Sequence, residues 1–258
     1  MEVIFHLFLE LNVNMKNKKV VITTILSIIA IVFIIGILLL NGVIWFNNPS
    51  KSAYPVRGVD ISSFQGEIDW QVLASQNIDF AFIKATEGST FQDEKFKYNW
   101  GNSLKTNLKI GAYHFFSYDS DGISQAKNFI NIVPKIDGNL PPVVDIEFYG
   151  KYNNHPQNKE QTAKILNDLL SELENYYGKK PIIYATMKSY KLYLSNGYEE
   201  YSIWIRDVFA KPSLPDNKNW TFWQYSDHEK LDGYNGKETF IDINAFNGSS
   251  QNFDNFCK

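Results

Sequence analysis

The sequence predicts an α/β protein: an irregular, TIM-like β/α barrel preceded by one N-terminal transmembrane helix. Three observations support this. Eight short apolar runs recur along the chain, helix-like stretches separate several of them over about 200 residues, and one stretch near the N-terminus lacks charge. Alternation of strands and helices indicates parallel strands joined by crossover helices, and eight strands indicate a closed barrel.

The uncharged stretch covers residues 20–40. At about 1.5 Å per residue, a helix of this length spans roughly the thickness of bilayer hydrocarbon. Lys16, Lys18 and Lys19 precede it, and the positive-inside rule then keeps the N-terminus in the cytoplasm. A cleaved signal peptide is the alternative, but its apolar region is shorter and ends at a small-residue cleavage site.

An uncleaved anchor divides the chain into four expected segments. They are a cytoplasmic segment (1–19), a transmembrane signal anchor (20–46), a polar, breaker-rich linker (47–55) and an outer domain (56–258). The outer domain is therefore expected on the extracellular side of the membrane.

The eight apolar runs are expected to form the barrel strands. They are Val56–Ile61, Ile78–Ala85, Lys109–Phe116, Pro142–Phe148, Pro181–Ala185, Tyr201–Arg206, Trp220–Tyr225 and Phe240–Ile243. The clearest helix is 159–177, where leucines recur at helical spacing between the capping residue Asn158 and the stop signal Gly178. Further helices are expected at 69–73 and around 125–132. The last three strand spacings are short for full helices, so the second half of the barrel is expected to be irregular.

Charge and composition narrow the range of possible functions. The formal net charge is −3, of which residues 1–51 contribute +2 and the remainder −5. An acidic outer domain argues against nucleic acid as a partner. The single cysteine, Cys257, excludes an intramolecular disulfide and a thiol-based metal cluster, and is expected to be an incidental tail residue. Aromatic residues make up 16% of the chain, which fits either a large core or a sugar-stacking surface.

The most informative motif is Pro-Pro-Val-Val-Asp-Ile-Glu-Phe at residues 141–148. Side chains two apart on a strand share a face, so Asp145 and Glu147 point the same way. Two carboxyl groups held close in a partly buried site have separated pKa values, which equips them as a proton donor and an anion. This is the chemistry of a glycosidase. The alternative is an edge strand whose acids face solvent.

The carboxyl ends of the other predicted strands test this interpretation, because barrel enzymes place their chemistry there. These ends carry polar and aromatic residues: Asp60, Lys84, Glu87, Tyr113, His114, Tyr184, Trp204, Arg206, Gln224, Tyr225, Asp242 and Asn244. The chain has neither a nucleophile elbow with a Ser-His-Asp order nor a glycine-rich phosphate loop. A metal site built from Asp60, Asp242 and His114 is a non-specific alternative.

Several motifs together resemble one enzyme family. They are Asp60-Ile61-Ser62-Ser63-Phe64-Gln65-Gly66, Phe82-Ile83-Lys84-Ala85-Thr86-Glu87-Gly88, Gly111-Ala112-Tyr113-His114-Phe115-Phe116, Val144-Asp145-Ile146-Glu147, Pro181-Ile182-Ile183-Tyr184, Trp223-Gln224-Tyr225 and Ile241-Asp242-Ile243-Asn244. In this order they resemble the glycoside hydrolase family 25 lysozymes over about residues 57–248. The resemblance implies a muramidase that cleaves the β-1,4 bond between N-acetylmuramic acid and N-acetylglucosamine in peptidoglycan. It implies no metal and no organic cofactor.

The resemblance also assigns residue roles. Glu147 takes the role of general acid, and Asp145 orients the acetamido group of the substrate and keeps Glu147 protonated. Asp60 and Asp242 match two further acidic positions that line the sugar groove. The expected substrate-binding residues are Lys84, Tyr113, Tyr184, Trp204, Arg206 and Gln224. The choice between the acetamido oxygen and a water as nucleophile stays open, as does the retaining or inverting outcome.

One segment departs from the family pattern. Where the family often has Leu-Trp-x-Ala, this chain has Ile203-Trp204-Ile205-Arg206. Arg206 shares a face with Trp204 and is expected to pair with Asp242 or with a substrate carboxylate. The rival functions are a wall-binding protein without turnover and a hydrolase of another amino-sugar polymer such as chitin. For the muramidase, we expect a monomer that binds the glycan strands of peptidoglycan beside a bacterial cell membrane.

Overall fold

The computed structural model describes residues 2–45 and 47–258, and for residues 2–16 it describes the backbone only. Met1 and Phe46, the outer ends of two predicted N-terminal segments, lie outside the described residues. The chain forms two compact units, Met1–Trp45 and Phe46–Lys258. The first unit contains one helix, α1 (Glu2–Leu40). Its segment Asn17–Leu40 is long and apolar enough to cross a membrane, with a mean hydropathy of 3.0.

The second unit is built on a closed sheet. Its described strands are β1 (Arg57–Ile61), β2 (Phe80–Glu87), β3 (Phe91–Gln92), β4 (Lys109–Phe115), β5 (Val143–Ile146), β6 (Ile182–Thr186), β7 (Ser202–Arg206), β8 (Phe222–Glu229) and β9 (Ile241–Phe246). The order around the sheet is β1-β9-β8-β7-β6-β5-β4-β2, and β1 also pairs with β2, which closes the barrel. The short strand β3 forms a hairpin with β2. The predicted barrel of eight strands is confirmed.

Strand direction departs from the prediction at one place. β1, β2, β4, β5, β6, β7 and β8 run parallel to their neighbours, whereas β9 is antiparallel to both β8 and β1. The all-parallel expectation is therefore wrong for the last strand. The connection between Glu229 and Ile241 is too short to contain a crossover helix, so the chain returns as a hairpin.

Helices pack around the barrel and at its amino end. They are α2 (Trp70–Ala74), α3 (Phe96–Ser103), α4 (Gly122–Ile130), α5 (Lys159–Tyr177), α6 (Met187–Ser189) and α7 (Ser250–Phe256). Shorter turns are the 3₁₀ turns Ser63–Gln65 and Gly150–Asn153 and the π-helical turn Tyr190–Leu194. The predicted boundaries of α5 are confirmed. The Asn158 side chain caps its first turn, and Gly178 ends it in a left-handed conformation at φ 70°.

Two apolar clusters hold the domain together. The outer cluster packs strand residues such as Ile83 and Ile205 against helix residues such as Leu169. The inner cluster fills the barrel with aromatic rings, mainly Phe80, Phe82, Trp204, Phe222 and Phe246. Most of the aromatic excess therefore serves the core.

The amino end of the barrel is plugged by helix α7. Phe253 packs on Phe80 and Phe246, with ring centroids 5.5 and 5.1 Å apart. Cys257 belongs to the same cluster and is 1% exposed, and burial raises the pKa of its thiol to about 11. The expectation that Cys257 is an incidental tail residue is wrong, because its side chain completes the floor of the barrel.

Candidate active site

The carboxyl ends of the strands enclose a cavity of about 210 Å³ at the opposite end of the barrel from α7. Four carboxyl groups on or next to the strands line it: Asp60 from β1, Asp145 from β5, Glu147 just beyond β5, and Asp242 from β9. Each leaves its strand on the inner face, as the strand alternation requires. The sequence analysis predicted all four as site residues, and the fold brings them to one place.

Asp60 and Asp242 form a coupled pair. They lie opposite each other in the β1–β9 register, and the Gln224 amide donates to Asp60 Oδ2 at 2.9 Å and to Asp242 Oδ2 at 3.1 Å. Asn244 Nδ2 donates to Asp60 Oδ2 at 2.7 Å. Burial raises the pKa of both carboxyls, and that of Asp242 well above its ordinary value. Asp242 therefore binds a proton more readily than Asp60 does.

Asp145 and Glu147 form a second pair. Asp145 is 8% exposed, and none of the described residues hydrogen-bonds to its Oδ1 atom, which is buried at the cavity. Burial is the main cause that raises the pKa of both carboxyls. The pKa of Asp145 is raised well above its ordinary value, with Glu147 contributing to the rise, although sequence reasoning placed the negative charge there. The two acids titrate as a unit that retains a proton to higher pH than a free carboxyl.

A hydrogen-bonded layer beneath the cavity fixes the carboxyls. The Tyr184 hydroxyl donates to Gln224 Oε1 at 2.9 Å, and Trp204 Nε1 donates to Asn244 Oδ1 at 2.7 Å. Trp204 is 2% exposed and stacks on Phe82 with ring centroids 4.5 Å apart. Trp204 lines the cavity, but most of its indole is covered by protein.

The chain is similar to known proteins in sequence and in fold. A sequence model described as glycosyl hydrolases family 25 matches residues 59–234, most of the outer domain. The chain belongs to this family. The structure of a family 25 glycosyl hydrolase from Bacillus anthracis shares 49% sequence identity, covers 83% of this chain and 98% of its own, and has a TM-score of 0.78.

Further relatives agree with the family assignment. The bacterial lysozyme from Streptomyces coelicolor is 30% identical, covering 78% of this chain and 96% of its own at a TM-score of 0.71. Lysozyme M1 of Streptomyces globisporus is 31% identical over 211 residues, which cover 76% of this chain and 69% of that protein. This family 25 chain is therefore a glycoside hydrolase of the lysozyme (muramidase) class, and its substrate is peptidoglycan.

Arg206 occupies a continuation of the family 25 groove. This second space, of about 590 Å³, shares Glu147, Tyr184 and Asp242 with the first. The guanidinium is 2.6 Å from Asp227 Oδ2, and Asp227 Oδ1 lies 2.7 Å from His228 Nδ1. Arg206 therefore pairs with Asp227, and the expected pairing with Asp242 is wrong. Its charge still lowers the pKa of Glu147.

Tyr113 and Lys84 line the cavity, as expected. Burial raises the pKa of Tyr113 well above its ordinary value, so its phenol stays neutral and can donate a hydrogen bond. The Lys84 ammonium lies 2.8 Å from Glu87 Oε2 and 4.8 Å from the centre of the Phe115 ring. Its charge lowers the pKa of both Asp145 and Glu147.

His114 lies away from the cavity. It follows Tyr113 on β4 and so faces the helices, where its ring nitrogens meet Thr86 Oγ1 at 2.7 Å and Gln125 Oε1 at 3.0 Å. Burial lowers the pKa of the imidazole to about 4. The alternative metal site is therefore wrong, and no group of three or more metal-binding side chains occurs among the residues that the structure describes.

Sequence reasoning missed several groove residues. Phe64 is 51% exposed at the rim and presents a ring face, and Glu238 lines both spaces while accepting a hydrogen bond from Gln65 Nε2 at 2.8 Å. Phe64 stands inside a quoted motif and was available as a candidate. Glu238 and Asp227 lie outside the quoted motifs, so only the fold reveals them.

Proposed function

We propose that this chain is a membrane-anchored N-acetylmuramidase that cleaves the β-1,4 bond between N-acetylmuramic acid and N-acetylglucosamine. The observation that carries the proposal is the buried pair Asp145 and Glu147 at the cavity, with Asp145 Oδ1 lacking a partner among the described residues. A buried acceptor without a protein partner can receive a hydrogen bond from a donor on the substrate. The acetamido N–H of an amino sugar has that chemistry.

Glu147 acts as the general acid. It is the more exposed member of the pair and lines both spaces of the groove, so its carboxyl reaches a glycosidic oxygen bound across them. Burial raises the pKa of Glu147, which favours the protonated form that a general acid needs. Protonation of the leaving oxygen then lowers the barrier to cleavage of the glycosidic bond.

Asp145 orients the acetamido group by accepting its N–H at Oδ1. Asp60, held by Gln224 and Asn244, stabilises the positive charge that develops on the sugar ring. Asp242 supports Asp60 by sharing a proton with it. Two nucleophiles fit this arrangement: the acetamido oxygen of the substrate or a water molecule.

The remaining sugar contacts come from the walls of the groove. Tyr113 and Lys84 offer donors, and Phe64 offers an apolar ring at the rim. Tyr184, Trp204 and Gln224 act by holding the carboxyls in place, because their polar atoms are already engaged with one another and with Asn244 and the Asp60–Asp242 pair.

The anchor lies within residues 20–46, and its membrane-spanning part is the helix that ends at Leu40. The helical segment Asn17–Leu40 is strongly apolar and is not buried in the protein. Three lysines at its N-terminal end favour a cytoplasmic N-terminus. The catalytic domain, residues 56–258, then lies on the wall side of the bacterial membrane. A signal sequence that is cleaved is the alternative, and it would release the domain.

Glu147→Gln tests the catalytic assignment. The amide keeps the shape of the side chain and removes the transferable proton, so we expect cleavage of soluble glycan to fall about 10²–10⁴-fold. Mass spectrometry of the products of residues 47–258 is expected to show reducing muramic acid ends. The control is Glu94→Gln, an exposed residue outside the groove, with full activity expected.

Two results would contradict the proposal. Activity of Glu147→Gln above a tenth of the wild-type rate, with an unchanged unfolding midpoint, would place the acid elsewhere. Reducing glucosamine ends would reject the assigned bond.

A further inference from the structure

The segment between the apolar helix and the first barrel strand is packed against the catalytic domain. We call residues 47–56 the strap. Tyr54 is 9% exposed, and its ring centroid lies 5.8 Å from that of Trp220 and 5.7 Å from that of Trp223. Val56 is 2% exposed within the inner cluster. The strap, which contains the expected linker (47–55) and the first residue of the expected outer domain, is therefore docked through two buried apolar side chains.

Hydrogen bonds also hold the N-terminal part of the strap. The Arg57 guanidinium donates to the Pro49 carbonyl. The Ser50 carbonyl accepts from the backbone N–H groups of Ala53 and Tyr54 at 3.1 and 3.0 Å, which closes a turn. The Asn47 amide reaches the carbonyl of Asp207 at 3.4 Å. The chain follows the domain surface from Asn47 onwards.

The position of Asn47 on the barrel matters for access to substrate. Asp207 follows Arg206, the last residue of β7, whose side chain lines the groove. The strap therefore begins beside the rim of the groove and ends at Val56, which precedes β1 at the amino end of the barrel. The tether thus attaches near the catalytic end of the domain.

The tether, the segment between the end of α1 and the start of the strap, is short. Helix α1 ends at Leu40, so seven Cα–Cα steps separate it from Asn47. Fully extended, these steps span at most about 25 Å. If residues 47–53 were not packed, the first packed residue would be Tyr54, and the fourteen steps from Leu40 would span at most about 50 Å. Docking of residues 47–53 therefore halves the reach of the enzyme.

We propose that the strap restricts this enzyme to glycan strands lying at the membrane surface, where new peptidoglycan is assembled, and withholds it from older wall farther out. The inference rests on the membrane anchor and the muramidase activity proposed above. The relevant substrate is therefore nascent glycan within about 25 Å of the attachment point.

The test lengthens the tether in the full chain. Cells producing it receive a pulse of radiolabelled N-acetylglucosamine, and the label in released fragments is compared with that in the whole wall. A flexible Gly/Ser segment of about 40 residues inserted after Ile44 adds a mean reach of roughly 35 Å. We expect the native chain to release glycan enriched several-fold in fresh label and the lengthened chain to lose that enrichment.

Two controls distinguish failure of this inference from failure of the proposed function. The same Gly/Ser segment appended after Lys258 adds the same mass without changing the tether and is expected to preserve the enrichment. In detergent, all three chains are expected to cleave soluble glycan at equal rates. Equal enrichment for the native and lengthened chains, with equal soluble rates and membrane retention, overturns the inference alone. Loss of soluble activity in the native chain, or its release into the medium, overturns the proposed function and the inference with it.

Discussion

Arg206 places a positive charge in a groove lined mainly by carboxyl groups. The charged or titratable groups that face this region are Asp60, Lys84, Asp145, Tyr184, Asp227, His228, Glu238 and Asp242. Arg206 is fixed by Asp227, and its charge is the largest influence that lowers the pKa of Glu147, against the rise that burial causes. The Arg206–Asp227 pair therefore adjusts the pH at which the Asp145–Glu147 pair loses its proton.

Opposite substitutions in this pair are expected to move the pH profile in opposite directions. Arg206→Gln removes the cation, so the pKa of Glu147 rises, the protonated form survives to higher pH, and the alkaline limb of activity moves up. Asp227→Asn leaves Arg206 less neutralised, so the pKa falls and the limb moves down. Shifts of about 0.5–1 pH unit are expected for charges at this range. The measurement is kcat against pH for residues 47–258 on soluble glycan.

A substrate-binding role for Arg206 would give another result. Arg206→Gln would then raise KM and leave the alkaline limb in place. Shifts of the same sign in the two variants would also contradict the electrostatic role.

The sequence revealed individual residues to different degrees. Asp145 and Glu147 were predictable because strand alternation puts acids two apart on one face. Asp227 was not, because strict alternation from Gln224 directs Ser226 to the groove and Asp227 to the outer face. The β8–β9 register shifts between Gln224 and Ser226 and again before Glu229, and such irregularities re-aim side chains.

At the scale of elements, helix α4 packs closely on helix α5. Gly122 begins α4, and a Cβ added there would lie 2.1 Å from the Ile165 carbonyl oxygen and 2.6 Å from the Leu169 nitrogen. Both contacts are with backbone atoms, which cannot move aside without separating the helices. The absence of a side chain at Gly122 sets the distance between the two helices.

Gly122→Ala is therefore expected to lower the free energy of unfolding by about 1–3 kcal/mol. The matched control is Gly101→Ala in α3, where nothing lies within 4 Å of the added Cβ. That change is expected to raise the free energy of unfolding by about 0.5–1 kcal/mol, because alanine favours the helix over glycine. Denaturant unfolding of residues 47–258 measures both. Equal effects at the two sites would mean that the α4–α5 contact is not the cause.

Helices and strands were predictable where residues at their ends signal the start or the stop. Helix α5 has both a cap and a stop, so its bounds were clear in the sequence. The direction of β9 was not, because a short alternating strand looks the same whichever way it runs. Packing of the strap was also hidden, since Tyr54 is a lone aromatic in a polar segment and its partners Trp220 and Trp223 come from far along the chain.

At the scale of the whole molecule, the apolar helix and the catalytic domain are separate units with separate tasks. We expect the chain to remain in the membrane fraction with its C-terminal unit outside. After removal of the wall, protease added to intact cells is expected to degrade residues 46–258. Full protection of that unit, or its recovery from the medium as the main species, would contradict the anchor.

The short tether also changes how strongly the enzyme must bind its substrate. With the membrane anchor proposed above, a site confined to a half-sphere of about 25 Å radius meets each glycan segment inside it at a local concentration of about 50 mM. A modest affinity is then enough for the groove to be occupied most of the time. Selection on such an enzyme therefore favours fast dissociation of the cleaved strand. The groove is then free to bind the next glycan segment that is synthesised.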